Sequence, residues 1–339
     1  MKAPNIRRLA LVLTSAALVA GAAACSSGSS STTTTSPATS TSNASGAPEK
    51  PNITLGVLLG ADNVTAQIAL DKGFFRQQGL NVTIKIENTT NDSSAGLLSH
   101  TMDFTGENYI GMFEQEQNVP GLNLRIVADN SLGAPGTYAL MVPKNSAITS
   151  LAQLKGKKVG FPAKGINYGS VATNVLMQPD HLTTDSFTTV TLPFANTPQA
   201  IASGTVDAAF STEPFITIMK HTGARVLADL MSGPMSGFPV SCWATTASFV
   251  QQYPKTVAAF QRAMVAASQL AASNPALVRQ ELPKFIKTMK PQIANAIALS
   301  NFSSTLSLAR MERVANLLEG LGDLPHGFDV KSMYYPPAG

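Results

Sequence analysis

The 339-residue chain holds only two cysteines, one tryptophan and four histidines, and these scarcities exclude whole classes of protein. With Cys25 and Cys242 alone there is no material for a disulfide framework, a paired CxxC zinc site or a cysteine-held iron cluster. His100, His181, His221 and His326 show neither H-x-x-x-H nor H-x-H spacing, so no metal and no cofactor is expected. G-x-S-x-G and P-loop patterns are also missing, which removes two common marks of hydrolases and nucleotide-using enzymes. Charged residues are sparse, at 13%, and form no basic tract, so nucleic acid is not an expected partner.

The longest apolar run lies at the very start. Lys2, Arg7 and Arg8 precede the run Leu9 to Ala20, and Ala22-Ala-Ala24 then leads directly to Cys25. That is the layout of a secretory signal peptide, too short for a membrane span. A cysteine directly after the small residues matches a bacterial lipoprotein, in which the thiol is acylated (palmitate or a similar chain) and becomes the new N-terminus. The plainer alternative is a cleaved signal with a chance cysteine. Residues 26 to about 50 are almost all Ser, Thr, Pro, Ala and Gly, which cannot bury a core and read as a flexible tether. The expectation is a signal over 1–24 and a lipidated cysteine with its tether over 25–50, anchored at the extracytoplasmic face of the cell membrane. Loss of Lys2, Arg7 and Arg8 takes the formal charge from +4 to +1, so the basic balance belongs largely to the signal. About 290 residues remain, enough for two domains of ordinary size. Cys242, left without a partner, sits in an apolar run and reads as a small buried hydrophobe.

The segment Ala69-Leu-Asp-Lys-Gly-Phe-Phe-Arg-Gln-Gln-Gly-Leu-Asn-Val82 carries the most specific signal. It follows an apolar strand-like run, Ile53 to Gly60, and a helical stretch with Val64, Ile68, Ala69 and Leu70 on one side. Gly73 stops the helix, Phe74 and Phe75 tuck beneath it, and Gly79 turns the chain into a second strand, Val82 to Ile86. Strand, helix and strand within about 35 residues is the footprint of a right-handed parallel crossover. The pattern A-x-x-K-G-F-F-x-x-x-G-L-x-V resembles the first crossover of the solute-binding proteins for sulfonates, nitrate, taurine and thiamine-pyrimidine precursors, which feed ABC importers. Leu154-Lys-Gly-Lys-Lys-Val-Gly160, the stretch Ala200 to Phe215 with its Glu213-Pro214, and the long helical stretch Phe249 to Phe260 before Asn274-Pro275 resemble the same family. The resemblance runs from 51 to about 320.

An internal echo supports two similar lobes. Leu98-Ser-His-Thr-Met-Asp103-Phe and Ala202-Ser-Gly-Thr-Val-Asp207-Ala share Ser, Thr and Asp at matched positions, each between a helical stretch and an apolar run. The resemblance implies an α/β protein of two Rossmann-like lobes with parallel-rich sheets, joined by two crossover strands, the type II periplasmic-binding-protein fold. Lobe 1 would occupy 51–135, lobe 2 with its crossovers 136–240, and 241–339 would return to lobe 1 with the C-terminal helices packed on it. Gly136–Pro143 and Phe238–Ala244 would be the crossovers, and the lobes would close on ligand by hinge bending. The implied partners are a small-molecule solute and the permease subunits of an ABC importer, with a monomeric binder held to the membrane by its lipid. A sensing lipoprotein without an importer is one alternative. A pyrimidine-synthase-like enzyme is another, although such enzymes carry an iron-linked cysteine-rich motif that this chain lacks.

In open parallel sheets ligands bind where strands end and loops enter helices. That places Asp62 and Asn63 after the first strand, Thr90 and Ser93 after the second, and Glu107, Asn108 and Tyr109 after the third. The second lobe offers Lys164, Asn167 and Tyr168 in a Gly-rich loop, and Glu213, which matches the Glu of the family's E-P motif. Plainer roles stand beside these: Thr89 to Ser94 as helix caps, Gly165 and Gly169 as turn formers, Tyr109 and Tyr168 as packing residues. Thr212 stands where the family often has Trp, which weakens any carry-over of a planar-ring ligand. Asp62, Asp92, Glu107 and Glu213 are acidic and only Lys164 is basic, so the expected ligand is neutral or cationic rather than a sulfonate or nitrate.

Overall fold

The computed structural model describes residues 46–87 and 89–338. The expected signal peptide, Cys25 and the tether up to residue 45 lie outside the described residues, and no described helix is long and apolar enough to cross a membrane.

Among the described residues eleven strands form two sheets. They are β1 (Asn52–Leu58), β2 (Asn81–Glu87), β3 (Phe104–Asn108), β4 (Leu124–Leu132), β5 (Tyr138–Val142), β6 (Lys158–Phe161), β7 (Thr188–Thr191), β8 (Ala208–Thr212), β9 (Arg225–Asp229), β10 (Pro239–Thr246) and β11 (Asn301–Phe302). The first sheet runs β11-β4-β10-β3-β1-β2 and the second β7-β6-β8-β5-β9. Setting β11 aside, the orders match: β2-β1-β3-β10-β4 against β7-β6-β8-β5-β9. In each, the first strand pairs in parallel with the next two, and one antiparallel strand is inserted beside the third. That inserted strand comes from across the junction. β5 follows β4 out of the first lobe, and β10 follows β9 back into it. The chain therefore crosses in the short loops Gly133–Thr137 and Leu230–Phe238, which are tied by Gly133 N–H to Phe238 O (2.9 Å). The expected crossover segments are the strands entered on completing each crossing. They are buried throughout because neighbours pair on both sides.

The internal echo has the same mechanics in both lobes. Asp103 N–H donates to Thr54 O and its carboxylate accepts from Thr54 N–H, both at 2.9 Å; Asp207 does the same with Lys158, both at 2.8 Å. Ser99 and Thr101 hydroxyls bond at 3.0 Å, Ser203 and Thr205 at 2.8 Å. Between them the chain must turn through the left-handed region, where His100 (φ 55°) stands in one lobe and Gly204 (φ 68°) in the other. Each Asp thus clips the head of a third strand to the head of the first.

The first crossover follows its sequence signals. Gly73 (φ 73°) ends the helix Val64–Asp71 and opens the short helix Phe74–Gln77, whose Phe75 is buried against Phe260 at 5.9 Å between ring centroids. Phe260 belongs to the helix Pro254–Ser273, which packs on Val64–Asp71 and stacks on Phe104 at 4.0 Å. The helical stretch expected from Phe249 to Phe260 is broken at Tyr253, because the residue before a proline is pushed out of helical geometry. Cys242 is fully buried with its Sγ 3.4 Å from Met112 Sδ.

Glu87, at the end of β2, lies buried under the helix Thr90–Leu98 and accepts from Thr105 Oγ1 (2.9 Å) and Ser93 Oγ (3.0 Å). Burial pushes its carboxyl up to about 7 against those two hydroxyls. The folded protein therefore holds a proton that the unfolded chain releases from about pH 4.5, and stability falls as pH rises from there through 7. Glu87→Gln removes that dependence, by up to about 3 kcal/mol between pH 5 and pH 8. Denaturant unfolding at both pH values checks this, and an unaltered pH dependence in the variant would contradict it.

Candidate functional site between the lobes

After β1 the chain makes one tight turn, Ala61–Asn63, that places Asp62 and Asn63 in the interior. Gly60 permits the approach, since a Cβ there would lie 2.6 Å from Asp62 Oδ1. Asn63 Nδ2 donates to Leu58 O at 3.0 Å, which holds the turn against the strand end. Facing the turn is a bulge in the β4/β10 pairing: Ser131 opposes Ser241 and Asp129 opposes Cys242, so Asn130 is the extra residue. Its amide is oriented by its partners. Thr65 Oγ1 donates to Asn130 Oδ1 (2.6 Å), and Asn130 Nδ2 reaches Asp62 O (3.1 Å), Asn63 Oδ1 (3.0 Å) and Ser241 Oγ (2.9 Å). Ser131 and Ser241 hydroxyls lie 2.7 Å apart, and Ser131 Oγ donates to Asp62 Oδ2 at 3.4 Å. Either hydroxyl can be the donor in the Ser131–Ser241 contact, and both Ser241 and Ser131 act on the Asp62 carboxylate.

The second lobe supplies aromatic and hydroxyl groups. Tyr138 opens β5 opposite Thr212 at the end of β8, and Tyr168 opens the helix Tyr168–Met177. The two tyrosine rings lie 5.0 Å apart at 36°, backed by Phe210 and Phe238. Thr212 Oγ1 donates to Thr137 O at 3.2 Å and Tyr168 Oη to Met231 Sδ at 3.5 Å. Burial raises the Tyr138 phenol well above its ordinary value, and the Asp62 carboxylate adds to the rise. Burial likewise pushes Asp62 up, against the hydroxyls of Ser241 and Ser131 and nearby backbone N–H groups. Asp62 is 7% exposed and Tyr138 8%, so both are shut away from solvent.

The remaining sequence candidates have other partners. Asn108 and Asn167 cap helices, accepting from Gly111 N–H (2.8 Å) and Ser170 N–H (3.0 Å). Ser93 bonds to Glu87, and the buried Glu107 accepts from Gln115 Nε2 at 3.3 Å. Tyr109 is wholly buried and donates to Asp129 Oδ1 at 2.9 Å, while Asp129 pairs with Arg310 at 2.6 Å. Lys164 is exposed. Thr90 is the first residue of its helix, and its side chain lies outside the described part. Glu213 is buried with its oxygens committed: Oε2 accepts from Thr217 N–H (3.0 Å), Oε1 from Thr217 Oγ1 (2.8 Å) and from Ala298 N–H (3.2 Å) in the segment leading to β11. The structure thus gathers Asp62, Asn63 and Tyr168 and adds Asn130, Ser131, Ser241, Tyr138 and Thr212. The one sequence signal for the added group was Asp129-Asn-Ser131, a polar triplet inside an otherwise apolar strand.

Two α/β lobes of matching topology, each completed by a strand from the other side of the junction, define the type II periplasmic-binding-protein fold. The family model for NMT1/THI5-like proteins matches residues 63–277, and the chain belongs to that family. Solved structures with the same fold include the alkanesulfonate-binding protein SsuA from Xanthomonas axonopodis pv. citri bound to MOPS, at 19% identity, TM-score 0.69, covering 84% of this chain and 98% of that one. The periplasmic aliphatic sulphonate-binding protein SsuA from Escherichia coli matches at 17% identity and TM-score 0.68, over 85% and 92% of the two chains. The periplasmic nitrate-binding protein NrtA from Synechocystis PCC 6803 matches at 16% and 0.68, over 85% and 86%. No curated protein sequence matches the chain significantly.

Because Glu213 serves Thr217 and Ala298, its removal strands two N–H groups and a hydroxyl. Glu213→Ala is expected to cost about 1–3 kcal/mol of stability in the ligand-free protein. A melting curve superimposable on the parent's would show that these bonds contribute nothing net.

Proposed function

We propose that this chain is an extracytoplasmic substrate-binding lipoprotein that captures a small organic solute between its lobes and delivers it to the permease of an ABC importer. The observation that carries this reading is the cluster of polar and aromatic side chains drawn from both lobes and shut away from solvent. A solute bridging Asp62 and Ser131 on one side and Tyr138 and Thr212 on the other has contacts in both lobes only when they are closed. Such a ligand shifts the population toward the closed shape, which an importer can read. Membership of the NMT1/THI5-like family and the fold shared with sulfonate- and nitrate-binding proteins support the reading. Lys2, Arg7, Arg8, the apolar run and Cys25 support export followed by lipid anchoring.

A thermal screen of the full chain against small solutes tests binding. A solute at 100 times its Kd stabilises the protein by about 2.7 kcal/mol, and deleting the gene should abolish saturable uptake of that solute. Stabilisation without any uptake defect would remove the importer from the reading. Cys25→Ser is expected to move the protein from the membrane to the soluble fraction or leave its signal uncleaved. A variant that fractionates and migrates like the parent would remove the lipid anchor.

A further inference from the structure

The chain returns from the second lobe to the first through the loop Leu230–Phe238, and one side chain grips that loop at several points. Arg313 stands on the helix Leu308–Leu321. That helix packs on the helix Tyr109–Asn118 and on β10, and its Arg310 pairs with Asp129 in β4, so it belongs to the first lobe. Arg313 Nη2 donates to Pro234 O at 3.0 Å and to Ser236 O at 3.4 Å, and Nη1 donates to Gly237 O at 3.4 Å. The same guanidinium lies 5.0 Å from the centroid of the Phe238 ring, within cation–π range.

The loop it grips is carried by the other lobe. The turn Gly233–Met235 packs on the helix Tyr168–Met177 of the second lobe, and Met235 is buried. Phe238 meets the Tyr168 ring edge to face at 6.3 Å, and its carbonyl accepts from Gly133 N–H of the outward crossing at 2.9 Å. Arg313 therefore reaches from the first lobe onto a turn seated on the second, beside the point where the two crossings are tied. A guanidinium suits this task, because its planar fork aims several N–H donors in fixed directions, whereas an ammonium is a compact point charge. Arg313 is exposed and fills no core volume, so neither lobe needs it to fold. The angle between two lobes rests on much smaller free-energy differences than the fold does, and three hydrogen bonds to one loop are enough to bias it.

We propose that Arg313 is a positioning residue that sets the angle between the lobes by clamping the return crossing onto the first lobe. This goes beyond the solute-binding reading, since it names what controls the arrangement of the lobes rather than what they hold. Any solute that bridges the lobes loses apparent affinity in proportion to the fraction of molecules standing at another angle, so the clamp acts on capture without touching the solute.

The test measures distances between spin labels on the full chain and needs no solute. Thr83 on β2 and Thr189 on β7 are exposed on the matching edge strands of the two sheets, so Thr83→Cys with Thr189→Cys reports the separation of the lobes. Thr83→Cys with exposed Gln269→Cys, on the helix Pro254–Ser273, reports on the first lobe alone. Cys242 is fully buried, and the chain without added cysteines supplies the background. Arg313→Ala is expected to shift or broaden the interlobe distribution beyond the scatter among parent samples and to leave the within-lobe distance unchanged. Arg313→Lys, which keeps the charge but not the fork, should do the same to a lesser degree. Circular dichroism checks that each variant is folded, and if Arg313→Ala is not, Arg313→Lys decides by the same two distances. Interlobe distributions superimposable on the parent's would overturn the proposal. So would an equal change in the within-lobe pair, which would make Arg313 a residue of the first lobe's own structure. Either result leaves the solute-binding reading standing.

Discussion

Each lobe of this protein completes its sheet with a strand that arrives from the other side of the junction, and the polar cluster around Asp62 and Asn130 depends on that exchange. β10 enters the first lobe between β3 and β4, where all its residues are buried and both of its edges are paired. A strand so placed cannot slip by one residue without turning Ser241 to the opposite face. Trp243 adds a steric lock, since it lies over Gly106, where a Cβ would come within 2.2 Å of its ring. With β10 fixed, the bulge at Asn130 has a defined position, and Asn130, Ser131 and Ser241 are brought to the turn carrying Asp62. The same exchange in the second lobe sets Tyr138 opposite Thr212.

The fold places its buried charge in two different ways. Away from the junction, Asp129 and Glu281 are matched by cations: Arg310 crosses from the helix Leu308–Leu321 to Asp129, Lys72 reaches Glu281 from the end of the helix Val64–Asp71, and Lys284 pairs with Glu281 within one helix. These pairs tie the C-terminal helices to the first lobe, though the net gain of each is limited by the cost of desolvating both ions. At the junction the acids have only hydrogen bonds. Glu213 uses them to join the helix Phe215–His221 to the segment near Ala298, and so acts as a structural strut beside the crossing. Asp62 is met by the hydroxyls of Ser241 and Ser131. Two carboxylates that look alike in sequence, each after a strand, thus have different work because their neighbours come from different parts of the chain.

Much of the architecture was legible from local signals. The Lys72-Gly-Phe-Phe segment announced a crossover because Gly73 and Gly79 adopt the positive φ that ends a helix or turns a strand, and the structure has both. The repeated Ser-x-Thr-x-Asp pattern announced two lobes because each Asp binds a backbone N–H near the start of its lobe's first strand in the same manner. The site was legible only in part. Of the residues selected by the rule that ligands meet strand ends, Asp62 and Asn63 share the polar cluster with Asn130 and Tyr168 stacks beside Tyr138, whereas Asn108 and Asn167 cap helices and Ser93 bonds to Glu87. Capping residues and ligand-binding residues are the same chemical types, so position alone does not separate them.

What the sequence by itself determined is what depends on neighbours within a few residues: strand and helix boundaries, the glycine turns, the paired lobes and the leader-like start. What only the tertiary structure decided is which polar groups share a space. Asn130 and Asp62 are 68 residues apart and Ser131 and Ser241 are 110 apart, and they meet because a strand returning from the second lobe pairs with β4 around the bulge at Asn130. The charge of the site followed from the same contacts. Whether a buried acid is neutralised depends on which distant helix delivers an arginine or lysine to it, and that is a property of packing rather than of any local run of residues.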